Sequence, residues 1–318
     1  MSSLPIVDLD MAPNVAAVIV AVYGLLIVAS IFTWSLARRR PEKDYSELRA
    51  RVRTWWVIVT LFAVAIALKP IFAICLLGFM SFLAFKEYIT LIPTRRADHR
   101  VLFWAYLTIP IQYYWVADGW YGMFIIFIPV YAFLVLPARM VLIGETEGFI
   151  RAAGTLHWGL MTTVFSLSHT AFLLALPAAG NPIAGGDGLL LYLLLLTQLN
   201  DVAQYVWGKS FGRHKVVPKV SPKKTVEGLF GGIATTAVVA VIAAPFLTPL
   251  TRWEALVAGL LIGAAGFLGD ISVSAVKRDL GIKDSGNILP GHGGILDRVD
   301  SLTFAAPLFF HFVYYLHY

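Results

Sequence analysis

Two acidic residues in the last third of the chain are the first candidates for chemistry, because each lies in an apolar run. Asp201 stands at the end of one run and Asp270 stands inside another. A charged side chain near the centre of a bilayer costs roughly 3 kcal/mol even on the most lenient insertion scale. Such residues usually mark a functional site, and the alternative is a structural hydrogen bond between helices. Both carboxylates are therefore candidate site residues.

A second group of acids follows Asp270. It comprises four residues between positions 279 and 300, namely Asp279, Asp284, Asp297 and Asp300. Asp297 and Asp300 are three positions apart, so on a helix they share a face. Carboxylate oxygens at this density suit Mg²⁺, which keeps water and substrate phosphates among its ligands. A Pro-Gly-His-Gly-Gly turn at 290–294 allows the backbone to approach a ligand closely.

A basic stretch follows Asp201. Six lysines and arginines lie within sixteen positions of the loop 207–227. Just before a glycine-rich helix start, the loop carries Ser221, Lys223, Lys224 and Thr225. Free amide groups at a helix N-terminus suit phosphate, and lysines add point charges for a polyphosphate. The alternative is an ordinary loop that contacts anionic lipid.

Basic side chains beside carboxylates that suit a divalent metal predict phosphoryl or nucleotidyl transfer between anionic substrates. Such chemistry consists mostly of positioning and charge neutralisation, often with two metal ions. The residue types alone choose neither the nucleotide nor the acceptor.

Apolar segments must position these residues. Of the 318 residues, 58% are hydrophobic and 14% are charged, whereas a soluble domain is about 25% charged. We therefore expect an all-α integral membrane protein for which lipid is the main solvent. About ten transmembrane helices are predicted, from apolar segments at 15–37, 55–68, 70–85, 101–116, 121–137, 156–176, 188–206, 228–250, 255–276 and 302–318.

The basic residues indicate the orientation, since lysine and arginine concentrate in cytoplasmic loops. With the N-terminus outside, the inside loops hold 23 of the 25 basic residues; these loops are 38–54, 86–100, 138–155, 207–227 and 277–301. We expect a multi-pass protein of the bacterial inner (plasma) membrane. Its catalytic loops, 207–227 and 277–301, are expected to face the cytoplasm. The net charge of +6 is thus a sign of topology rather than of nucleic-acid binding.

The two parts of the chain differ in content. Residues 1–187 are predicted to be transmembrane helices that serve as a scaffold and give lipid access, and residues 188–318 form the catalytic region. No cleavable signal pattern accompanies the first apolar run, so we expect it to be retained as a helix. The single cysteine, Cys75, excludes an intrachain disulfide and a cysteine-based metal site.

A continuous pattern of 27 residues follows Asp270, in the order Ser274-x-Val276-Lys277-Arg278-x4-Lys283-Asp284-x-Gly286-x2-Leu289-Pro290-x-His292-Gly293-Gly294-Ile295-x-Asp297-Arg298-Val299-Asp300. It resembles the signature of the phosphatidate cytidylyltransferase (CDP-diacylglycerol synthase) family, with every fixed position filled. Upstream, Gly269-Asp270 and the segments 200–212 and 221–228 are similar to other parts of that family. Val226 departs from the pattern, because many members have Trp there. The resemblance covers about residues 195–301.

The resemblance implies a reaction in phospholipid biosynthesis. CTP and phosphatidate give CDP-diacylglycerol and pyrophosphate, as the phosphate of phosphatidate attacks the α-phosphorus of CTP. The implied partners are CTP, phosphatidate and membrane lipid, without nucleic acid, and a homodimer is a further expectation. The implied cofactor is Mg²⁺, with room for a second cation.

The resemblance also implies roles for individual residues. Asp270 and Asp297 are expected to hold the metal, while Asp284 and Asp300 hold a second ion or orient the first. The full expected catalytic set is Asp270, Lys277, Arg278, His292, Asp297 and Asp300. Within it, Lys277 and Arg278 suit the phosphatidate headgroup, and His292 binds a phosphate oxygen or orients Asp297. The expected CTP contacts are Asn200, Asp201, Ser221, Lys223, Lys224 and Thr225.

Two other functions stay open at this point. One is a CTP-dependent transferase that acts on another lipid acceptor, of polyprenol or archaeol type. The other is a non-catalytic membrane paralogue, such as a transporter or assembly factor. The acidic set argues against the second alternative, because a scaffold has no need of Asp270, Asp284, Asp297 and Asp300 together.

Overall fold

The computed structural model describes residues 11–39, 42, 44–93, 95, 99–286 and 293–318. These residues form ten long helices: α1 (Pro13–Arg39), α2 (Ser46–Ala67), α3 (Pro70–Leu91), α4 (His99–Asp118), α5 (Tyr121–Val141), α6 (Phe149–Ala175), α7 (Gly185–Phe211), α8 (Val226–Leu247), α9 (Arg252–Asp279) and α10 (Leu296–His317). Over the same residues no strand forms, and extended pairing is limited to an isolated bridge between Lys215 and Thr225. The predicted all-α class is confirmed.

Each predicted apolar segment corresponds to one helix. Across the described ranges, nine helices are long and apolar enough to cross a membrane, and α4 falls outside that set. Helix α4 contains several polar residues, among them a fully buried Gln112, whose amide donates to the Phe124 carbonyl at 3.1 Å and to Ser168 Oγ at 3.1 Å. The predicted multi-pass membrane architecture is thus confirmed.

Two predicted segments are shorter than their helices, the second because it began too late and the third because it ended too early. The second and third apolar runs, 55–68 and 70–85, are parts of helices of 22 residues each. Helix α2 begins with a charged turn, and α3 continues to Leu91 through Lys86 and Glu87. Charged residues stopped the apolar pattern but not the helix, because the helical backbone bonds are independent of side-chain polarity. Glu87 therefore lies in a helix rather than in the predicted loop 86–100.

Small residues let the last four helices approach one another closely. A Cβ added to Gly259 of α9 would lie 2.6 Å from Ala237 Cα on α8. A Cβ on Gly269 of α9 would overlap the Asp300 carbonyl of α10, and one on Gly232 of α8 would overlap Gln204 of α7. Close backbone approach through glycine and alanine is how helices pack tightly in lipid. The contacts at Gly232 and Gly269 lie near the ends of α7–α10 that carry the candidate site residues.

Buried polar side chains tie the same helices together. Asn200 on α7 is fully buried; its Nδ2 donates to the Gly263 carbonyl of α9 at 3.1 Å. Its Oδ1 accepts from Thr236 Oγ1 of α8 at 3.2 Å. This one residue, predicted as a CTP contact, therefore joins three helices directly beside Asp201.

The predicted orientation is tested by cysteine labelling. Ser210 and Lys283 are exposed at the ends of α7 and α9, and their loops are expected to face the cytoplasm. Cysteines introduced at either position should react with a membrane-impermeant maleimide in inside-out vesicles and not in intact cells. The unmodified chain, whose free Cys75 lies within α3, is the control. Labelling from the outside of intact cells would contradict the orientation.

Candidate active site

A polar cavity lies where α7, α9 and α10 meet the segment that leads into α8. Its volume is about 240 Å³, and it is lined by Asp201, Lys224, Asp270, Lys277, Asp284, Asp297, Arg298 and Asp300. Seven of these eight residues were predicted from the sequence as site residues. The structure therefore brings together acids and lysines that are up to a hundred positions apart in the chain.

Helix geometry explains how these side chains reach one cavity. Asp270 and Lys277 are seven residues apart on α9, which is two helical turns and therefore one face. Asp297 and Asp300 lie in the first turn and a half of α10 and also share a face, as their spacing predicted. Asp284 approaches from the segment that joins α9 to α10, here called the acidic loop, of which the structure describes residues 280–286 and 293–295. Its side chain is exposed to solvent.

Lys224 forms the first ion pair of the cavity. Its Nζ lies 2.6 Å from Asp270 Oδ2 and donates to Gln204 Oε1 at 3.0 Å. Ser274, one turn after Asp270, donates to Asp270 Oδ1 at 3.2 Å. The carboxylate of Asp270 is thus oriented from two sides, and Lys224 links the segment before α8 to both α7 and α9.

Lys277 and Asp297 form the second ion pair, and both residues are buried. Lys277 Nζ donates to Asp297 Oδ1 at 2.6 Å. Asp297 Oδ2 accepts from the backbone amides of Ser285 at 2.9 Å and Gly294 at 3.0 Å. Next to it, Gly293 adopts a φ of +80°, and a Cβ there would lie 2.6 Å from Asp297 Oδ2. Asp297 therefore joins α9, α10 and the acidic loop, and it already has three donors.

Asp201 and Asp300 meet at Ser301. Ser301 Oγ lies 3.1 Å from both carboxylate oxygens of Asp201, and the Ser301 amide donates to Asp300 Oδ1 at 2.7 Å. Among the described residues, neither Asp201 nor Asp300 forms an ion pair with a lysine, arginine or histidine. Burying a carboxylate without a cation is costly. The pair therefore offers oxygen atoms to a positive ion.

The donor set fits a magnesium ion. Five carboxylates and three cationic side chains line the cavity, so the lining is more acidic than basic. Within the described ranges, no three His, Cys, Asp or Glu side chains are grouped closely enough to hold a metal by themselves. Mg²⁺ is commonly bound by one or two carboxylates together with water and substrate phosphates rather than by a protein cage. The Asp201–Asp300 pair is of that kind.

Several predicted residues lie outside the cavity lining. Thr225 is the N-cap of α8, and its hydroxyl accepts from the Gly228 amide at 3.1 Å. Arg278 donates to the carbonyls of Val220 and Ile282, which ties α9 to the loop before α8. Ser221 is half-buried and Lys223 is exposed. His292 lies outside the described residues.

Three residues of the site were missed by the sequence analysis. Arg298 lines the cavity, and its buried Nε has no hydrogen-bond partner in the described part of the chain. Gln204 orients Lys224, and its spacing of three from Asp201 was the available signal. Glu87 contacts the acidic loop from α3. It went unnoticed because the third apolar segment was ended at position 85.

Comparison with known proteins shows which family the chain belongs to. Residues 49–316 match the model of the cytidylyltransferase family. An Escherichia coli (strain K12) relative, the uncharacterized protein YnbB, is 48% identical over 93% of this chain and 97% of its own length. Proteins named phosphatidate cytidylyltransferase match a shorter part. That of Staphylococcus haemolyticus is 44% identical over 38% of this chain and 48% of its own length.

The second staphylococcal example, from Staphylococcus aureus (strain COL), is also 44% identical, over 37% of this chain and 46% of its own length. This chain therefore spans less than half the length of the relatives that carry an enzyme name. The match to the family model, by contrast, includes nine of the ten helices. The resemblance seen in the sequence is confirmed, and this multi-pass membrane protein belongs to the cytidylyltransferase family of nucleotidyltransferases.

Proposed function

We propose that this protein transfers the cytidylyl group of CTP to phosphatidate, forming CDP-diacylglycerol and pyrophosphate. The observation that carries the proposal is the cavity in which carboxylates and cationic side chains from five segments converge. Its lining comes largely from the stretch that resembles the phosphatidate cytidylyltransferase signature. The two staphylococcal relatives that bear this name support the same acceptor.

The proposed step is a displacement at phosphorus. A phosphate oxygen of phosphatidate forms a bond to the α-phosphorus of CTP, and the bond from that phosphorus to the bridging oxygen breaks, releasing pyrophosphate. A phosphate monoester has its second pKa near about 6, so the attacking group is already ionised at neutral pH. A strong general base is unnecessary, and the protein has to position the groups and neutralise their charge.

The cations of the cavity suit the phosphates of the substrates. Arg298 has a buried Nε without a partner among the described residues, and the planar guanidinium suits phosphate oxygens. Lys224 and Lys277 are each held on a carboxylate, so that they approach a substrate with their positions already fixed. We assign the CTP phosphates to Lys224 and Arg298, and the phosphatidate phosphate to Lys277.

Asp201, Asp270 and Asp300 are the residues that would hold Mg²⁺, with Asp284 at the exposed rim available to a second ion. Bound there, the metal would neutralise charge on the α-phosphate and the leaving pyrophosphate. Asp297 was also expected to be a ligand. Its three existing donors support a different role, in which Asp297 organises the loop that carries Asp284.

Neighbouring lysines provide a matched pair of variants for the CTP site. Lys224 lies in the cavity, whereas Lys223 is exposed and outside its lining. Replacing Lys224 with Ala is expected to raise the KM for CTP about tenfold, as loss of a charge-assisted hydrogen bond does, and to raise the KM for phosphatidate less. Lys223→Ala should change either constant by no more than about twofold. Both KM values are measured by steady-state kinetics with the purified protein. A larger increase in the KM for phosphatidate than in that for CTP would show that Lys224 contacts the lipid substrate instead.

A different lipid acceptor is the second candidate. The matches to the named phosphatidate enzymes cover only 37–38% of this chain, so most of the chain has no counterpart in those matches. An acceptor competition assay tests the choice, with purified protein, CTP and equimolar phosphatidate and polyprenyl phosphate. We expect CDP-diacylglycerol as the main product. Faster cytidylylation of the polyprenyl phosphate would favour the alternative acceptor.

The proposed reaction also bears on location. CTP is a cytoplasmic nucleotide, which supports an active site on the cytoplasmic side of a bacterial inner membrane, in agreement with the distribution of basic residues. A homodimer stays a prediction, and crosslinking in native membranes would test it.

A further inference from the structure

A buried glutamate from the N-terminal part of the chain contacts the acidic loop. Glu87 lies near the end of α3 and is 5% exposed. Its Oε2 accepts from the Ile295 amide at 2.8 Å, and Ser285 Oγ donates to its Oε1. A Cβ added to Gly294 would overlap this carboxylate, so the loop backbone rests directly against Glu87.

Glu87 and Asp297 both accept hydrogen bonds from the same two parts of the loop, residue 285 and residues 294–295. Ser285 donates a hydrogen bond from its hydroxyl to Glu87 and another from its backbone amide to Asp297. At the start of α10, the Gly294 amide donates a hydrogen bond to Asp297, and the Ile295 amide donates one to Glu87. Two carboxylates from different helices therefore fix residues 283–286 and 293–295 relative to each other.

Glu87 also completes the beginning of α10. Ile295 is the N-cap residue of that helix and provides no side-chain cap. The first amides of a helix need acceptors from elsewhere, and a negative charge is favourable at this end. Among the described residues Glu87 forms no ion pair with a basic side chain. Its charge is therefore stabilised by the loop hydroxyl, the Ile295 amide and the helix terminus.

We propose that Glu87 is a positioning residue for the transfer reaction. Its hydrogen bonds fix the position of the loop and of the first turns of α10. They thereby orient Asp284, Arg298 and Asp300 towards the cavity. The inference rests on the proposed function for its catalytic consequence, although the contacts themselves do not depend on the identity of the substrate. It gives α3, which was predicted to be scaffold, a direct part in the site.

Two substitutions at Glu87 and one neighbouring control test the proposal. Glu87→Ala removes both loop contacts, and we expect kcat to fall about a hundredfold, as small displacements of reacting groups can cause. Glu87→Gln keeps an oxygen for the Ile295 amide and should recover most of that loss. Tyr88→Phe removes a hydrogen bond of the adjacent residue, from the Tyr88 hydroxyl to the Thr155 carbonyl, and should leave kcat unchanged.

Hydrogen exchange gives a readout that is independent of activity. In Glu87→Ala, amides in 282–286 and 293–299 should exchange faster, while those of α7 and α8 and the melting temperature stay as in the unmodified chain. Exchange that rises uniformly, with a lower melting temperature, would reduce Glu87 to a general stabiliser and overturn the proposal. So would normal kcat together with normal loop exchange.

The failures of the two proposals are distinguishable. If the unmodified protein forms no CDP-diacylglycerol, the proposed function fails, and the exchange comparison still decides whether Glu87 holds the loop. If the unmodified protein is active and Glu87→Ala retains its kcat, only the positioning role fails. Should Glu87→Ala not insert into the membrane, Ser285→Ala carries the test, because it removes the hydroxyl that donates to Glu87. We expect a lower kcat and faster loop exchange in that variant, and normal values of both would contradict the proposal.

Discussion

Replacing Asp270 with Asn is expected to lower turnover by about a hundredfold or more, the scale on which electrostatic contacts to a transition state act. Asp270 accepts from Lys224 and Ser274 inside the cavity. Asn has nearly the same shape, so membrane insertion and helix packing should be preserved. What is lost is a negative charge that balances Lys224 and serves the proposed metal. The measurement is kcat for cytidylyl transfer at several Mg²⁺ concentrations.

A carboxylate outside the cavity is the control for Asp270→Asn. Asp187 lies in the first turn of α7, about four turns before Asp201, and Asp187→Asn should keep normal activity. Excess Mg²⁺ should partly rescue Asp270→Asn, because weakened metal binding is a mass-action defect. Near-normal turnover of Asp270→Asn at limiting Mg²⁺ would remove Asp270 from the metal site and leave Asp201 and Asp300 to be tested.

Asp297→Asn is expected to have an equally large effect, by another route. The Asp297 carboxylate accepts from the Lys277 ammonium and from two loop amides. An Asn side chain must turn its NH₂ group towards one of these donors, so at least one contact is replaced by a clash between donors. We expect kcat to fall about a hundredfold and amide exchange in 282–286 and 293–296 to accelerate.

The response to magnesium separates Asp297 from Asp270. If Asp297 organises the loop, excess Mg²⁺ should not restore the activity of Asp297→Asn. Full rescue by Mg²⁺, with loop exchange unchanged, would show instead that Asp297 is a direct metal ligand, as its spacing from Asp300 first indicated. Asp297→Ala, which removes the clash as well as the contacts, is the companion variant and should behave like Asp297→Asn.

The membrane architecture was predictable from the sequence because it depends on local composition. Within the described part of the chain, each of the ten apolar runs corresponds to a helix of its own, and the i, i+3 spacing of Asp297 and Asp300 predicted their shared face. The resemblance around Asp270 added the cavity acids, since the spacing of charged groups within one stretch of chain is visible in the sequence. These are properties that each segment carries by itself.

Contacts between distant segments were not predictable in this way. Glu87 and Ile295 are 208 positions apart, and nothing in either segment alone indicates that they meet. Thr225 and Asn200 were expected from the resemblance to contact CTP. In the structure Thr225 is the N-cap of α8 and Asn200 joins three helices, and neither contact was visible in the sequence. A polar residue in an apolar chain signals that a partner exists, but packing decides which partner it is.

The most direct test of the account is transfer from radiolabelled CTP by the purified protein, with and without phosphatidate and with and without Mg²⁺. The account predicts label in a lipid that co-migrates with CDP-diacylglycerol, with one pyrophosphate released per lipid formed, only when both additions are present. It also predicts that Asp270→Asn forms almost none. Absence of labelled lipid with both additions present, in a preparation shown to be folded by a normal melting transition, would contradict the central claim.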